Sequence, residues 1–318
     1  VKTTELHIVL SCTNRKRTGA AAYPRLRDVV ADDVESRAAA WISKIDRAWP
    51  IGAARDRYAG EYWRAGLNLA TRAGRFSPTS TWVLSAGLGL INLDDEVPAY
   101  GATLAGSHED SVVRVNDQRT AREVRRRWWS ALSSWQGPVG PGRPRRVSDL
   151  ARDGEASIVV CAGPDYLTAS AAELVEVSRD LGPGRLLVFG SGGPEVGLES
   201  SWVRVPGQLR LRFGGSMSST GVRVASAVVD EFSKSGEFDG DEARRLVASW
   251  CGTTSPLPRF ERKKLSDRDI ELWITSDVET HPGTVNKSVS LRRFRDEGLA
   301  CEQSRFGRLY DRASGAGR

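Results

Sequence analysis

The chain is poor in the residues on which much enzyme machinery relies. It has only three histidines in 318 residues. None of them (His7, His108, His281) belongs to a recognisable nucleophile motif, so a Ser-His-Asp apparatus has no candidate. The same scarcity argues against a transition-metal centre. Its four cysteines, Cys12, Cys161, Cys251 and Cys301, are scattered without a C-x-x-C pair, which disfavours a zinc knuckle or a disulfide framework. No apolar run approaches the roughly 18 residues of a membrane span, and the amino terminus lacks a signal-peptide core. A soluble, cytoplasmic protein is expected, with no membrane partner and no obligate protein partner.

Hydrophobic side chains and arginine are plentiful. A hydrophobic fraction of 40% supports a real core. The net charge of +6 comes mainly from arginine, whose planar fork matches phosphate oxygens in pairs. Nucleic acid is one partner that such a balance suits, and a merely solvated basic surface is the other explanation. Where the arginines cluster decides between them.

Apolar runs at 6–10, 81–85, 157–161 and 185–189 read as buried strands, with 202–205 as an edge strand. Helical spacing of apolar residues fills 32–49, 58–73, 120–135, 169–179 and 220–232. Continuous apolar strands alternating with helices predict an α/β fold, a mostly parallel four- or five-stranded sheet with helices on both faces. The stretch 136–146, rich in proline and glycine, reads as a loop or linker. Beyond Phe238 the rhythm changes to helices at 241–250, 266–275, 288–297 and 301–312 with no strands between them. The last two, with Gly298 in the short gap, have the outline of a helix-turn-helix. Two domains are therefore expected: 1–238, α/β, and 239–318, a small helical lobe whose Cys301 helix probes a DNA groove.

Open α/β sheets place ligands at the carboxyl ends of their strands. Three loops there draw attention. The first, Ser11-Cys12-Thr13-Asn14-Arg15-Lys16-Arg17, joins small polar groups to three consecutive cations. It has neither Walker nor G-x-G-x-x-G spacing, which disfavours an ATPase or a nicotinamide dehydrogenase. The second runs from Ser85 through Gly87 to Asn92, Asp94, Asp95, Glu96 and Tyr100, with glycines that permit close approach and carboxylates without a basic neighbour in sequence. Such carboxylates stabilise a developing cation, orient water or bind a metal. The third, Gly190-Ser191-Gly192-Gly193, offers bare backbone. Tyr58, Glu61, Tyr62 and Trp63 add aromatic and acidic groups against which a base can stack. The run Arg119, Arg122, Arg125, Arg126 and Arg127 gathers cations at helical spacing, which an anionic partner explains. Amides and carboxylates acting on nucleic acid without metal or cofactor fit cleavage of an N-glycosidic bond. Its transition state puts positive charge on the sugar and negative charge on the departing base.

The segments V-L-S-C-T-N-R-K-R, Y-A-G-E-Y-W, W-V-L-S-A-G-L-G-L-I and V-P-A-Y-G-A-T-L, within roughly 6–105, resemble a family of bacterial proteins similar to the peroxide-stress family and to the uracil-DNA-glycosylase-like fold. The chain also resembles anti-phage DNA glycosylases that remove glucosylated hydroxymethylcytosine. It lacks the Gly-Gln-Asp-Pro-Tyr-His and His-Pro-Ser motifs of the uracil enzymes, so uracil is not the expected base. The resemblance implies a monofunctional DNA glycosylase acting on double-stranded DNA with bulky modified bases, without cofactor or metal. In that reading Asn14 orients the base or sugar, and Asp94 or Asp95 stabilises the sugar cation or places water. Ser11, Thr13, Tyr58, Glu61, Ser85, Gly87, Tyr100, Ser191 and Gly192 form the pocket. Arg15, Lys16, Arg17, Arg119, Arg122, Arg126, Arg292, Arg293 and Arg305 meet the DNA backbone. A base-exchanging transglycosylase, a non-catalytic DNA-binding protein and a free-nucleotide hydrolase are the alternatives.

Overall fold

The structure, a computed structural model, describes residues 5–17, 22–106, 108–114, 117, 119–152, 154–182, 184–257, 261–282 and 286–314. The chain divides into two compact units, Val1–Ser255 and Pro256–Arg318.

The first unit is built on strands β1 (Leu6–Ser11), β2 (Thr79–Ser85), β3 (Gly89–Asn92), β4 (Ser157–Cys161), β5 (Leu186–Gly190) and β6 (Trp202–Arg204). They lie side by side in the order β3-β2-β1-β4-β5-β6. All neighbours are parallel except β2 and β3. The sheet thus has six strands, not four or five. The additional one is β3, which sequence reading had placed inside the second loop. Gly89, at φ +73°, turns the chain back, and Leu90 and Ile91 then pair with Leu84 and Val83. Every residue of β1, β4 and β5 is buried, as a sheet covered on both faces requires.

The helices of this unit are α1 (Val34–Ile45), α2 (Ala54–Arg57), α3 (Glu61–Phe76), α4 (Ala121–Ser134), α5 (Pro164–Ala169), α6 (Ala171–Asp180), α7 (Arg210–Phe213), α8 (Thr220–Ser235) and α9 (Gly240–Thr253). One packed group joins α3 and α8 to the central strands, and another joins α1, α4 and α5 beside β3. Helix α3 buries Trp63, Gly66, Leu69 and Ala73, a single stripe. Gly66 is needed there because a Cβ would lie 2.7 Å from Leu10 Cδ1. Helix α4 starts at a Thr120–Glu123 capping box. Its Trp128 indole donates to the Ala86 carbonyl at 2.8 Å, and Trp41 of α1 donates to the Gly87 carbonyl at 2.8 Å. The arginine-rich helix is therefore nailed to the turn after β2 by its apolar side. Arg122, Arg126 and Arg127 point outward, while Arg125 is largely buried and bonded to the Leu104 carbonyl.

Helix α9 belongs to this unit. Ala243 and Val247 enter the α/β core, which moves the boundary expected at 238/239 to 255/256. The second unit holds α10 (Asp267–Thr280), α11 (Lys287–Asp296) and α12 (Gln303–Ala313). A two-residue parallel pair, β7 (Lys263–Lys264) with β8 (Leu299–Ala300), was not expected. Its core is aromatic: Phe294 lies 5.0 Å from Trp273 and 5.3 Å from Phe306, centroid to centroid. Gly298, at φ +76°, turns the chain between α11 and β8, and β8 occupies the gap before α12, which begins at Gln303, leaving Cys301 outside the helix.

Candidate functional site

The crossovers leave β1 and β4 in opposite directions, toward β2 on one side and β5 on the other. Where strand order reverses in this way, the strand ends part and leave a crevice. A cavity of about 520 Å³ lies there, lined by Ser11 to Asn14 after β1, Ala162 to Tyr166 after β4, Phe189 and Ser191 after β5, and Met217, Thr220 and Gly221 where α8 begins.

Tyr62 of α3 holds the parting open. Its hydroxyl accepts from Ser11 N–H at 2.8 Å and Ser11 Oγ at 3.1 Å, and donates to the Cys161 carbonyl at 2.5 Å. It takes the place of one rung of the β1–β4 ladder. Burial pushes its ionisation well above the usual tyrosine range, so it stays a donor. Cys12 Sγ lies 3.0 Å from the Tyr166 hydroxyl and accepts from Ala86 N–H at 3.5 Å. Thr13 Oγ1 lies 2.9 and 3.0 Å from the Arg15 and Ala59 carbonyls and shares its one proton between them, so it fixes the loop. Asn14 lines the cavity with its side chain exposed. The carboxylate here is Asp165, in the first turn of α5, with Oδ1 3.0 Å from Arg125 Nη2. A side chamber of about 150 Å³ shares Ala162, Pro164 and Ser191 with the cavity and adds Gly192, Thr168, Glu195 and Trp202.

The structure brings Ser11, Thr13, Asn14 and Ser191 together, with Gly192 in the side chamber, and leaves the other expected pocket residues outside. Because β3 runs back along β2, Asn92 sits opposite Trp82 and Leu93 N–H donates to the Thr81 carbonyl. Asp94 and Asp95 therefore leave the sheet near the start of β2, away from the edge that carries Asn14. Asp94 is ion-paired to Arg55, and buried Asp95 accepts from Asn92 N–H at 2.7 Å and pairs with Arg143 at 3.1 Å. The acidic bend and the amide-bearing turn do not share a hollow. Tyr58 and Tyr100 are interior as well: their hydroxyls are 3.0 Å apart, with Ser85 Oγ 2.7 Å from Tyr100. A Cβ at Gly87 would lie 2.5 Å from the Tyr100 ring, so this glycine serves close packing. Glu61 faces the segment before α8, accepting from Ser216 N–H at 3.1 Å and Ser219 Oγ at 2.9 Å and pairing with Arg223 at 3.1 Å. These bonds, led by Ser219, hold its pKa low. It positions the Met217 segment and lies outside the cavity lining.

The backbone-contact residues divide similarly. Arg15, Arg17, Arg119 and Arg292 are exposed. Lys16 is turned inward, its Nζ donating to the Ala102 carbonyl at 3.1 Å and lying 4.9 Å from the Tyr100 ring centroid. Burial pushes its pKa down, and it is no phosphate contact. Arg122 and Arg126 both pair with Glu195, Arg293 with Asp277, and Arg305 with Asp267. Among the described residues no three His, Cys, Asp or Glu side chains gather to hold a metal ion. Sequence reading missed Asp165, Tyr166 and Phe189. The signal was available, since Gly163-Pro164-Asp165 leaves β4 just as Thr13-Asn14 leaves β1. No family model matches this chain, and no curated protein or solved structure is detectably similar to it.

Proposed function

We propose that this protein is a DNA N-glycosylase that removes a bulky modified base, such as glucosylated hydroxymethylcytosine, and leaves an abasic site. The observation that carries the reading is the cavity at the β1/β4 crevice, which combines an exposed amide, Asn14, a carboxylate, Asp165, and aromatic walls from Tyr62, Tyr166 and Phe189. A cavity of about 520 Å³ suits one nucleotide, and the side chamber with Ser191, Thr168 and Trp202 suits a polar substituent on the base. In this mechanism the target nucleotide swings out of the duplex, at a cost of a few kcal/mol. Asn14 orients the base or sugar. Asp165, held in place by Arg125, faces the positive charge that develops on the sugar as the bond breaks. The base departs with the bonding electron pair, water adds its oxygen to the anomeric carbon, and the water's proton ends on the base. The role of facing that charge passes from Asp94 and Asp95 to Asp165, because the former two lie outside the cavity that Asn14 lines.

The test is mass spectrometry of material released from unmodified, hydroxymethylated and glucosylated phage DNA, with alkali-induced strand breakage reporting abasic sites. Base should be released from modified DNA only. Asp165→Asn should lower product formation about 100-fold or more, the scale of losing one charge-stabilising group, while DNA affinity persists. Asp95→Asn should leave turnover intact. Full turnover by Asp165→Asn removes that residue from the mechanism. Absence of product on every DNA overturns the enzymatic reading in favour of a non-catalytic binder, and base exchange without alkali breakage points to a transglycosylase.

A further inference from the structure

A second hollow lies on the outer side of α4 and α6 and is larger than the cavity, about 730 Å³. Four arginines border it: Arg122 and Arg126, one turn apart on α4, Arg146, and Arg179 at the end of α6. Cations this close repel unless an anion sits between them. The acids of the groove answer three of the four arginines, but two of those share one carboxylate and the fourth has none among the described residues. Glu173 is taken up mainly by interior donors, accepting from the Trp129 indole at 2.9 Å, Ser133 Oγ at 2.8 Å and Val147 N–H at 2.7 Å, with Arg146 Nε farther off at 3.9 Å, and burial pushes its pKa up. Glu176 answers Arg146 at 2.7 Å. Arg179 is exposed and has no ion pair among the described residues. Glu195 remains, and a single oxygen, Oε2, takes both Arg122 and Arg126, the latter at 3.1 Å.

Glu195 also belongs to the side chamber. Its other oxygen accepts from Thr168 Oγ1 at 3.1 Å, and Arg126 Nε donates to the Thr168 carbonyl at 3.3 Å. One carboxylate thus faces the arginine groove on one side and the chamber on the other. We propose that the groove is a track for a nucleic-acid phosphodiester backbone, and that Glu195 is an internal stand-in that occupies Arg122 and Arg126 until phosphate displaces it. A phosphate offers those two forks the charge-assisted geometry that one carboxylate oxygen divides between them. Displacement swings Glu195 off the arginines, so filling the groove is felt in the chamber next to the cavity. The proposal concerns binding and does not depend on glycosidic cleavage.

The test is fluorescence anisotropy of a labelled, unmodified DNA duplex with the full chain, across a salt series. Glu195→Gln frees both arginines and should tighten binding several-fold beyond Asp241→Asn, which makes the same charge change at the exposed partner of Arg244 outside the groove. Arg122→Ala with Arg126→Ala should weaken binding more than tenfold and flatten the slope of log affinity against log salt by about 2, roughly 0.9 per phosphate contact. Arg179→Ala, at an exposed position without an ion pair among the described residues, should flatten it by about 1. Equal affinities for Glu195→Gln and Asp241→Asn overturn the stand-in. Unchanged slopes in the arginine variants overturn the track, and full competition by equimolar tripolyphosphate assigns the groove to a free polyphosphate and overturns the nucleic-acid assignment. Because the duplex is unmodified and turnover is not read, a failed glycosylase assay leaves this outcome untouched.

Discussion

Tyr62→Phe removes one oxygen and tests how the crevice is held open. The phenol stands between Ser11 N–H and the Cys161 carbonyl, two backbone groups that would face each other in a further rung of the β1–β4 ladder. Phenylalanine keeps the ring and its packing, so the loss is confined to hydrogen bonding. A buried backbone group without a partner costs about 1–3 kcal/mol, and two are orphaned here. The site borders the cavity, so water can reach part of the vacated position, and the sum falls at the lower end, about 2–4 kcal/mol. With a urea dependence of about 1–3 kcal/mol per molar, the midpoint should drop by about 1 M. Urea unfolding followed by tryptophan fluorescence reads it. Tyr166→Phe is the control, since among the described residues that hydroxyl is hydrogen-bonded to Cys12 Sγ alone, at 3.0 Å, a weak partner, and should cost about 1 kcal/mol or less. If Tyr62→Phe unfolds at the wild-type midpoint, the bridge across the parted strands carries no weight and the account of the crevice fails.

Other perturbations probe the support around the site. Arg145 is buried and donates to the carbonyls of Leu88, Leu90, Leu132 and Trp135, with burial pushing its pKa down to about 10. It seals the free edge of β3, so Arg145→Met should destabilise by about 3 kcal/mol in urea unfolding, allowing for the buried charge removed with it. Exposed Arg152→Met should shift stability by less than about 0.5 kcal/mol. Tyr58, Tyr62, Tyr100 and Tyr166 all have ionisations raised by burial. Between their ordinary value near 10 and the raised native values, the unfolded chain loses protons that the folded chain keeps. Stability is therefore complete below pH 10 and should fall above it by about 1.4 kcal/mol per pH unit for each tyrosine. Phenolate absorbance from these four should appear only together with loss of tertiary circular dichroism, and gradual appearance in the folded state contradicts their burial. Lys16→Met replaces an inward ammonium with an apolar chain of similar length. It should leave the salt slope of DNA binding unchanged, whereas a phosphate contact would reduce it by about 1.

What the sequence made legible follows from the range of the forces involved. Strands β1, β4 and β5 announced themselves because a strand buried on both faces is mostly apolar, a local property, and β2 showed itself through its apolar run Trp82-Val83-Leu84. The Asn14 loop was legible for the same reason, since its position follows from the strand before it. Strand β3 was hidden because four residues beginning at a glycine look like the turn that introduces them. The face that α9 buries is evident from Ala243 and Val247, but no pattern within a helix names the core it will join. The acidic bend misled most. Asp94 and Asp95 have no basic neighbour in sequence, yet Arg55 and Arg143 reach them through the fold, and the antiparallel turn at Gly89 carries them away from the ligand edge. Lys16 shows the same limit in one side chain, since three consecutive cations look alike in sequence while the backbone bridge from Lys16 to Tyr58 sends the middle one inward. Asp165 needed only the reasoning already applied to Asn14. In a sheet whose order reverses between two strands, both strand ends face one crevice, so a polar loop after the first makes the loop after the second its partner.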